Sequence, residues 1–151
     1  MLEQIKSSPV TAVLIAQIQD KQFCFDINDV KTIINPNRIN SLYRYGKTKK
    51  ILYDSAEIQI VDLASIFHLE YKDGNNTRII VLNRDNQNLA FFVEEINELI
   101  SFNYGNQERL RLISEVIDNP YLIGKVYVAN RSFLFPNVNQ LFSDYSTRST
   151  S

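Results

Sequence analysis

Phe25-Asp-Ile-Asn-Asp-Val-Lys-Thr-Ile-Ile34 returns in altered spelling as Phe91-Phe-Val-Glu-Glu-Ile-Asn-Glu-Leu-Ile100, 66 positions later. Phe25 falls on Phe91, Ile27 on Val93, Asp29 on Glu95, Val30 on Ile96, and Ile33-Ile34 on Leu99-Ile100. A second echo follows in the same order: Ile58, Ile60, Leu63, Ile66 and Phe67 fall on Phe133, Phe135, Val138, Leu141 and Phe142, 75 positions later. Two ordered echoes predict a duplicated unit. Each unit is expected to be a small β-barrel-like lobe closed by short helices, because a lone hairpin cannot bury both its faces whereas a curled five-stranded sheet can.

Outward from that stretch, Val10 to Ile18 and Phe23 to Ile27 alternate or run apolar on either side of a polar Gln19-Asp20-Lys21-Gln22, which predicts a hairpin. Asn28 or Asp29 is expected to cap a brief helical turn carrying Val30, Ile33 and Ile34, ended by Pro36. Glu57 to Leu63 reads as a strand, and Asp62 to His68 as a short amphipathic helix capped by Asp62. Asp73-Gly74-Asn75-Asn76 turns the chain. Thr77 to Leu82 and Leu89 to Val93 form a second hairpin, after which Glu94 to Ile100 repeats the short helix. Tyr121 to Val128 and Ser132 to Phe135 make a last strand pair, and Asn137 to about Asp144 a final helix. Residues 1–145 are read as one domain, and the tail 146–151, which has no apolar residue, as disordered.

With 44% hydrophobic and 22% charged residues in 151, the chain can bury a core without staples. A formal net charge of −1 excludes a global field that would draw it to nucleic acid or anionic lipid. Val10 to Ile18 is too short for a membrane span, which needs about 20 apolar residues. No signal-peptide layout is evident, since Glu3 offsets Lys6, so a cytoplasmic location is expected. Cys24 is the single cysteine and reads as a small buried hydrophobe, which leaves no intrachain disulfide and no thiol cluster for a metal.

Residue types that carry chemistry are sparse. His68 is the one histidine, too few for a paired-histidine metal site, and is placed near a helix end where it can meet a free carbonyl. Gly46, Gly74, Gly105 and Gly124 never cluster, so no phosphate-binding loop is present. Glu94 and Glu95 are neighbours and read as a solvated helix start rather than an acid–base pair. Tyr43-Arg44-Tyr45-Gly46-Lys47-Thr48-Lys49-Lys50 interleaves aromatics with basic residues, the composition of a single-strand binding surface, or of a flexible loop with ordinary lysines. A small nucleic-acid-binding β-barrel using the basic loop 43–50 is the alternative reading that this cluster supports. No catalytic residue, cofactor or metal is expected.

Taken in order, Phe23 to Ile34, Ile58 to Phe67 with its Ile-Val-Asp-Leu exit, Arg78 to Glu95, and Ser132 to Phe142 resemble the segments of the CheW-like family over about residues 9–143. The resemblance implies two five-stranded SH3-like barrels side by side. It also implies a non-catalytic adaptor of bacterial chemosensory signalling, coupling chemoreceptor tips to a CheA-type histidine kinase without direct membrane insertion. The sequence departs from the family where an Asn-Leu-Arg-Gly motif is usual: Tyr53-Asp54-Ser55-Ala56 stands there, lacking the Arg and Gly, and Gln59 replaces a proline. That divergence is equally compatible with a specialised pathway such as pilus-based motility. By the resemblance, Ile51, Leu52, Tyr53 and Ser55, with Ile33, Ile34 and Asn35 after the first helix, are the candidate partner-binding residues, core packing being the other reading of the same positions.

Overall fold

The computed structural model describes residues 12–38, 42–45, 48–101, 110–113, 119–128 and 130–146; for 38, 42–45, 48–49, 110–113 and 146 only the backbone is described. Most of this is strand: β1 (Ala12–Ile18), β2 (Lys21–Asp26), β3 (Val30–Ile34), β4 (Leu42–Tyr45), β5 (Thr48–Tyr53), β6 (Ala56–Ile60), β7 (Arg78–Arg84), β8 (Gln87–Val93), β9 (Glu95–Ser101), β10 (Leu110–Ile113), β11 (Leu122–Val128) and β12 (Arg131–Pro136). Two single-turn helices, α1 (Leu63–Ile66) and α2 (Val138–Leu141), follow β6 and β12.

The strands form two sheets of six, in the orders β9-β1-β2-β12-β11-β10 and β3-β7-β8-β6-β5-β4. The orders are the same once β1 is matched to β7, β2 to β8, β3 to β9 and β4–β6 to β10–β12. Register repeats as well. Ile33 opposes Ile80 and Ile34 opposes Ile79 in one sheet, while Leu99 opposes Leu14 and Ile100 opposes Val13 in the other. The two parallel contacts, Gln59 with Leu89 and Leu134 with Phe23, also correspond. Even the irregularity between Val30 and Thr32 has its counterpart between Ile15 and Ala16 of the facing strand. The duplication predicted from the echoes is therefore present, with six strands in each sheet.

Each sheet is built from both units, because the hairpin β1–β2 lies in the sheet of β9–β12 and the hairpin β7–β8 in the sheet of β3–β6. Buried side chains fall into three clusters. Two are the lobe interiors, and they match position by position: Ile34, Ile51, Ile58, Ile79, Val81 and Ala90 in one, Ile100, Val126, Phe133, Val13, Ile15 and Cys24 in the other. The third and largest lies between the lobes and draws eight buried residues from each unit, among them Leu14, Phe23, Phe25 and Leu63 from the first and Ile80, Leu89, Phe91 and Val138 from the second. The rings of Phe25 and Phe91, fully buried, meet there with centroids 5.1 Å apart.

Several expected elements differ in kind. The helix expected to carry Val30, Ile33 and Ile34 is a single 3-10 turn at Ile27–Asp29, capped by Asp26, followed by strand β3. Four of the five β3 residues are β-branched, and their stiff side chains favour the pleated backbone. From Glu95 to Ile100 the chain is likewise strand, within β9, not a helix, since the ladder to β1, interrupted at the one irregularity between Ile15 and Ala16, overrides the helix preference of its glutamates and leucine. Of the basic stretch 43–50, residues 43–45 and 48–50 are strand, paired with each other in β4 and β5, and 46–47 lie outside the described residues. The final helix is one turn of α-helix followed by a wider turn at Phe142–Ser146, and residues 147–151 of the expected tail lie outside the described residues.

Candidate partner-docking surface

In β3, burial alternates along the strand so that Ile34 packs inward, 4% exposed, while Ile33 points out at 39%. In β5, Ile51 is fully buried, and Leu52 and Tyr53 stand out at 49% and 38%. Strand periodicity divides Ile33 from Ile34 and Leu52 from Ile51, since successive side chains alternate between faces and one face is needed for the lobe core; Tyr53, on the Ile51 face, is exposed at the last position of β5 before the turn. Asn35 spends its side chain on the next turn, its Oδ1 accepting from the Asn37 N–H at 3.1 Å. Ser55 is exposed at a hairpin tip, where Asp54 and Ser55 join β5 to β6 with φ of 53° and 65°. Both central residues are left-handed, the two-residue turn whose backbone twist matches the flanking strands.

The seven candidate residues thus divide. Ile34 and Ile51 meet in the same lobe core. Ile33, Leu52 and Tyr53 are three of the four large hydrophobic side chains exposed among the described residues, and the fourth is Leu99, at 53%. Ile33 and Leu52 do not sit on adjacent strands, since β7, β8 and β6 lie between β3 and β5 in the sheet order. Leu99 was not singled out in the sequence, although the 66-residue echo pairs it with Ile33. β3 and β9 are both edge strands, so each sheet presents one exposed apolar side chain at an equivalent place on an edge. Edge strands offer backbone groups as well as side chains to an incoming partner.

Charge around the two edges differs. Arg131 reaches from β12 to the Glu98 carboxylate on β9, holding it below the usual carboxylate range, and also lies over the Phe133 ring at 4.9 Å. At the other joint Arg84, at the end of β7, makes a two-pronged ion pair with Asp29, 2.9 Å to Oδ1 and 3.0 Å to Oδ2, and donates to the Asn139 side chain of α2. This fork ties the second unit's hairpin to the crossover between β2 and β3. Burial raises the pKa of Asp26 beside it, an effect that Asp29 adds to and that the Asn28 N–H and Arg84 oppose.

Several of the residue types that could carry chemistry have structural places. Asp62 caps α1, accepting from the Ser65 N–H at 3.2 Å and from its hydroxyl at 2.9 Å. His68 closes the same helix with φ 58°, its backbone N–H donating to the Ser65 carbonyl at 3.1 Å. Cys24 is buried, and burial pushes its thiol well above the ordinary range. Lys50 pairs with Glu57 across β5 and β6 at 3.3 Å. A cleft of about 250 Å³ beside α1 holds Asp62 and Asp73. Asp73 accepts from the Tyr71 hydroxyl at 2.7 Å, a bond that, after burial, raises the phenol's pKa. Among the described residues no group of His, Cys, Asp and Glu could hold a metal ion, and no helix is long and apolar enough to cross a membrane.

The chain is a pair of β-lobes with a shared core and with exposed apolar side chains at equivalent edge positions. The match to the CheW-like domain model runs over residues 12–146, so the chain belongs to the CheW-like family, a family of chemotaxis scaffolds. Among solved structures, the scaffolding protein TtCheW from Thermoanaerobacter tengcongensis is similar in fold, with a TM-score of 0.68, 16% identity, and coverage of 84% of this chain and 88% of that one. No curated protein matches the sequence.

Proposed function

We propose that the chain is a non-catalytic cytoplasmic scaffold that couples chemoreceptors to a CheA-type histidine kinase. Membership of the CheW-like family supports the class. The observation that carries the coupling role is the pairing of Ile33 with Leu99: a coupler needs at least two docking places, and the duplicated fold offers one on each sheet edge. Leu52 and Tyr53, beside the turn that replaces the family's Asn-Leu-Arg-Gly motif, add a third apolar exposure. Burying side chains of this kind against a partner is worth about 1.5–3 kcal/mol each, enough to make a few of them decisive.

The test is recovery of the tagged chain from the cells that make it, followed by identification of what comes with it. A histidine kinase and chemoreceptors are expected, and Ile33→Asp or Leu99→Asp should each lose a partner while the melting temperature holds. Recovery of nucleic acid that is released by modest salt, with no kinase, would overturn the reading in favour of binding through residues 43–50.

A further inference from the structure

The two units exchange hairpins rather than folding side by side, and this bears on what keeps the molecule together. Four of the ladders join one unit to the other: β1 with β9, β3 with β7, β2 with β12 and β6 with β8. The central cluster takes equal numbers of buried side chains from the two units, the composition of an obligate dimer core. Side chains add to it: Arg84 to Asp29, and Gln22 and Gln17 to Asn97. Against all this, the covalent link between the units is the segment from α1 to β7, of which residues 72–76 are exposed. A local turn orders it, the Gly74 and Thr77 amides bonding to the Thr77 hydroxyl and the Gly74 carbonyl, and the Lys72 N–H adds one bond to the Glu94 carboxylate at 2.9 Å.

We infer that the surface between the units is a complete association interface whose fitting partner is the other unit, so that the peptide link at 72–76 is dispensable once the chain has folded. Neither unit buries its hairpin alone. The β1–β2 hairpin has its central place in a sheet whose other four strands come from the second unit, and the converse holds for β7–β8. The units therefore fold together and remain together after a cut, behaving as two polypeptides in a tight complex.

The experiment is a specific protease site placed in the full chain, in one variant inserted between Gly74 and Asn75 and in a second replacing residues 72–76, so that failure of one insertion to fold leaves the other. After cleavage the two pieces should co-elute at the size of the intact protein with an unchanged strand spectrum. Its melting temperature should rise with protein concentration, as mass action requires of a bimolecular complex, while that of the uncut chain stays constant. Separation of the pieces, loss of the strand spectrum on cutting, or a concentration-independent melt of the cut protein would each overturn the inference.

Discussion

Replacing Phe25 with alanine should destabilise the whole molecule and not the one lobe to which its strand belongs. Phe25 is fully buried in the central cluster, and its ring faces Phe91, its counterpart in the other unit, at 5.1 Å. A buried phenylalanine truncated to alanine costs about 3–5 kcal/mol, set against about 5–15 for a whole domain. With a urea dependence of about 1–3 kcal/mol per molar, the unfolding midpoint should fall by at least about 1 M. Phe91→Ala should do nearly the same. Because the two rings touch, the double variant should cost less than the sum of the singles by about 0.5–1.5 kcal/mol, with leucine at both positions as the milder cycle if alanine leaves too little folded. The assay is urea unfolding followed by far-ultraviolet dichroism and by tyrosine emission, the chain having no tryptophan. Two separated transitions, or a Phe25→Ala protein that retains half its strand signal, would refute the shared core.

Other outcomes follow from single contacts. Arg84→Met leaves Asp29, whose side chain is only 14% exposed, without its ion-pair partner and should cost about 1.5–3 kcal/mol, while the pair Arg84→Met with Asp29→Asn should recover part of that; thermal melts of the three proteins check it. Asp26 has its pKa raised by burial, so the folded state favours the protonated form and loses stability as pH rises through that folded value. Asp26→Asn should therefore melt higher than the parent at neutral pH, with the gap closing as the pH falls into the carboxylate range; a gap that is constant with pH contradicts this. Leu52→Ser and Tyr53→Ala, both at exposed positions, should move stability by no more than about 0.5 kcal/mol and yet weaken partner recovery. Unfolding on Tyr53→Ala would make that residue part of the core.

Much of the fold was legible because duplication is a pattern in sequence: the 66- and 75-residue echoes align positions that prove equivalent in register as well as in burial. Capping at Asp62 could be read directly, since the preference of a helix N-terminus for an acceptor is local. What failed was the choice between helix and strand at Val30 to Ile34 and at Glu94 to Ile100. Short apolar runs fit either period, and the deciding influence, the ladders to β7 and β1, comes from residues 45 to 87 positions away. The same misreading left the exposed members of the candidate site unsorted and hid Leu99. On a helix Ile33 and Ile34 share no simple division, whereas on a strand one must face in and the other out. Leu99 escaped for the same reason, although the echo had already paired it with Ile33.

A chain that holds two partners at once through equivalent edges, as proposed, bridges them, and reconstitution measures that bridge. Receptor-containing membranes, the purified kinase and this chain are mixed, and kinase sedimenting with the membranes is quantified. The account predicts that kinase sediments only when the chain is present, and that Ile33→Asp and Leu99→Asp each abolish the bridge while leaving one binary contact intact. Kinase that sediments equally without the chain, or a bridge indifferent to both substitutions, would contradict it.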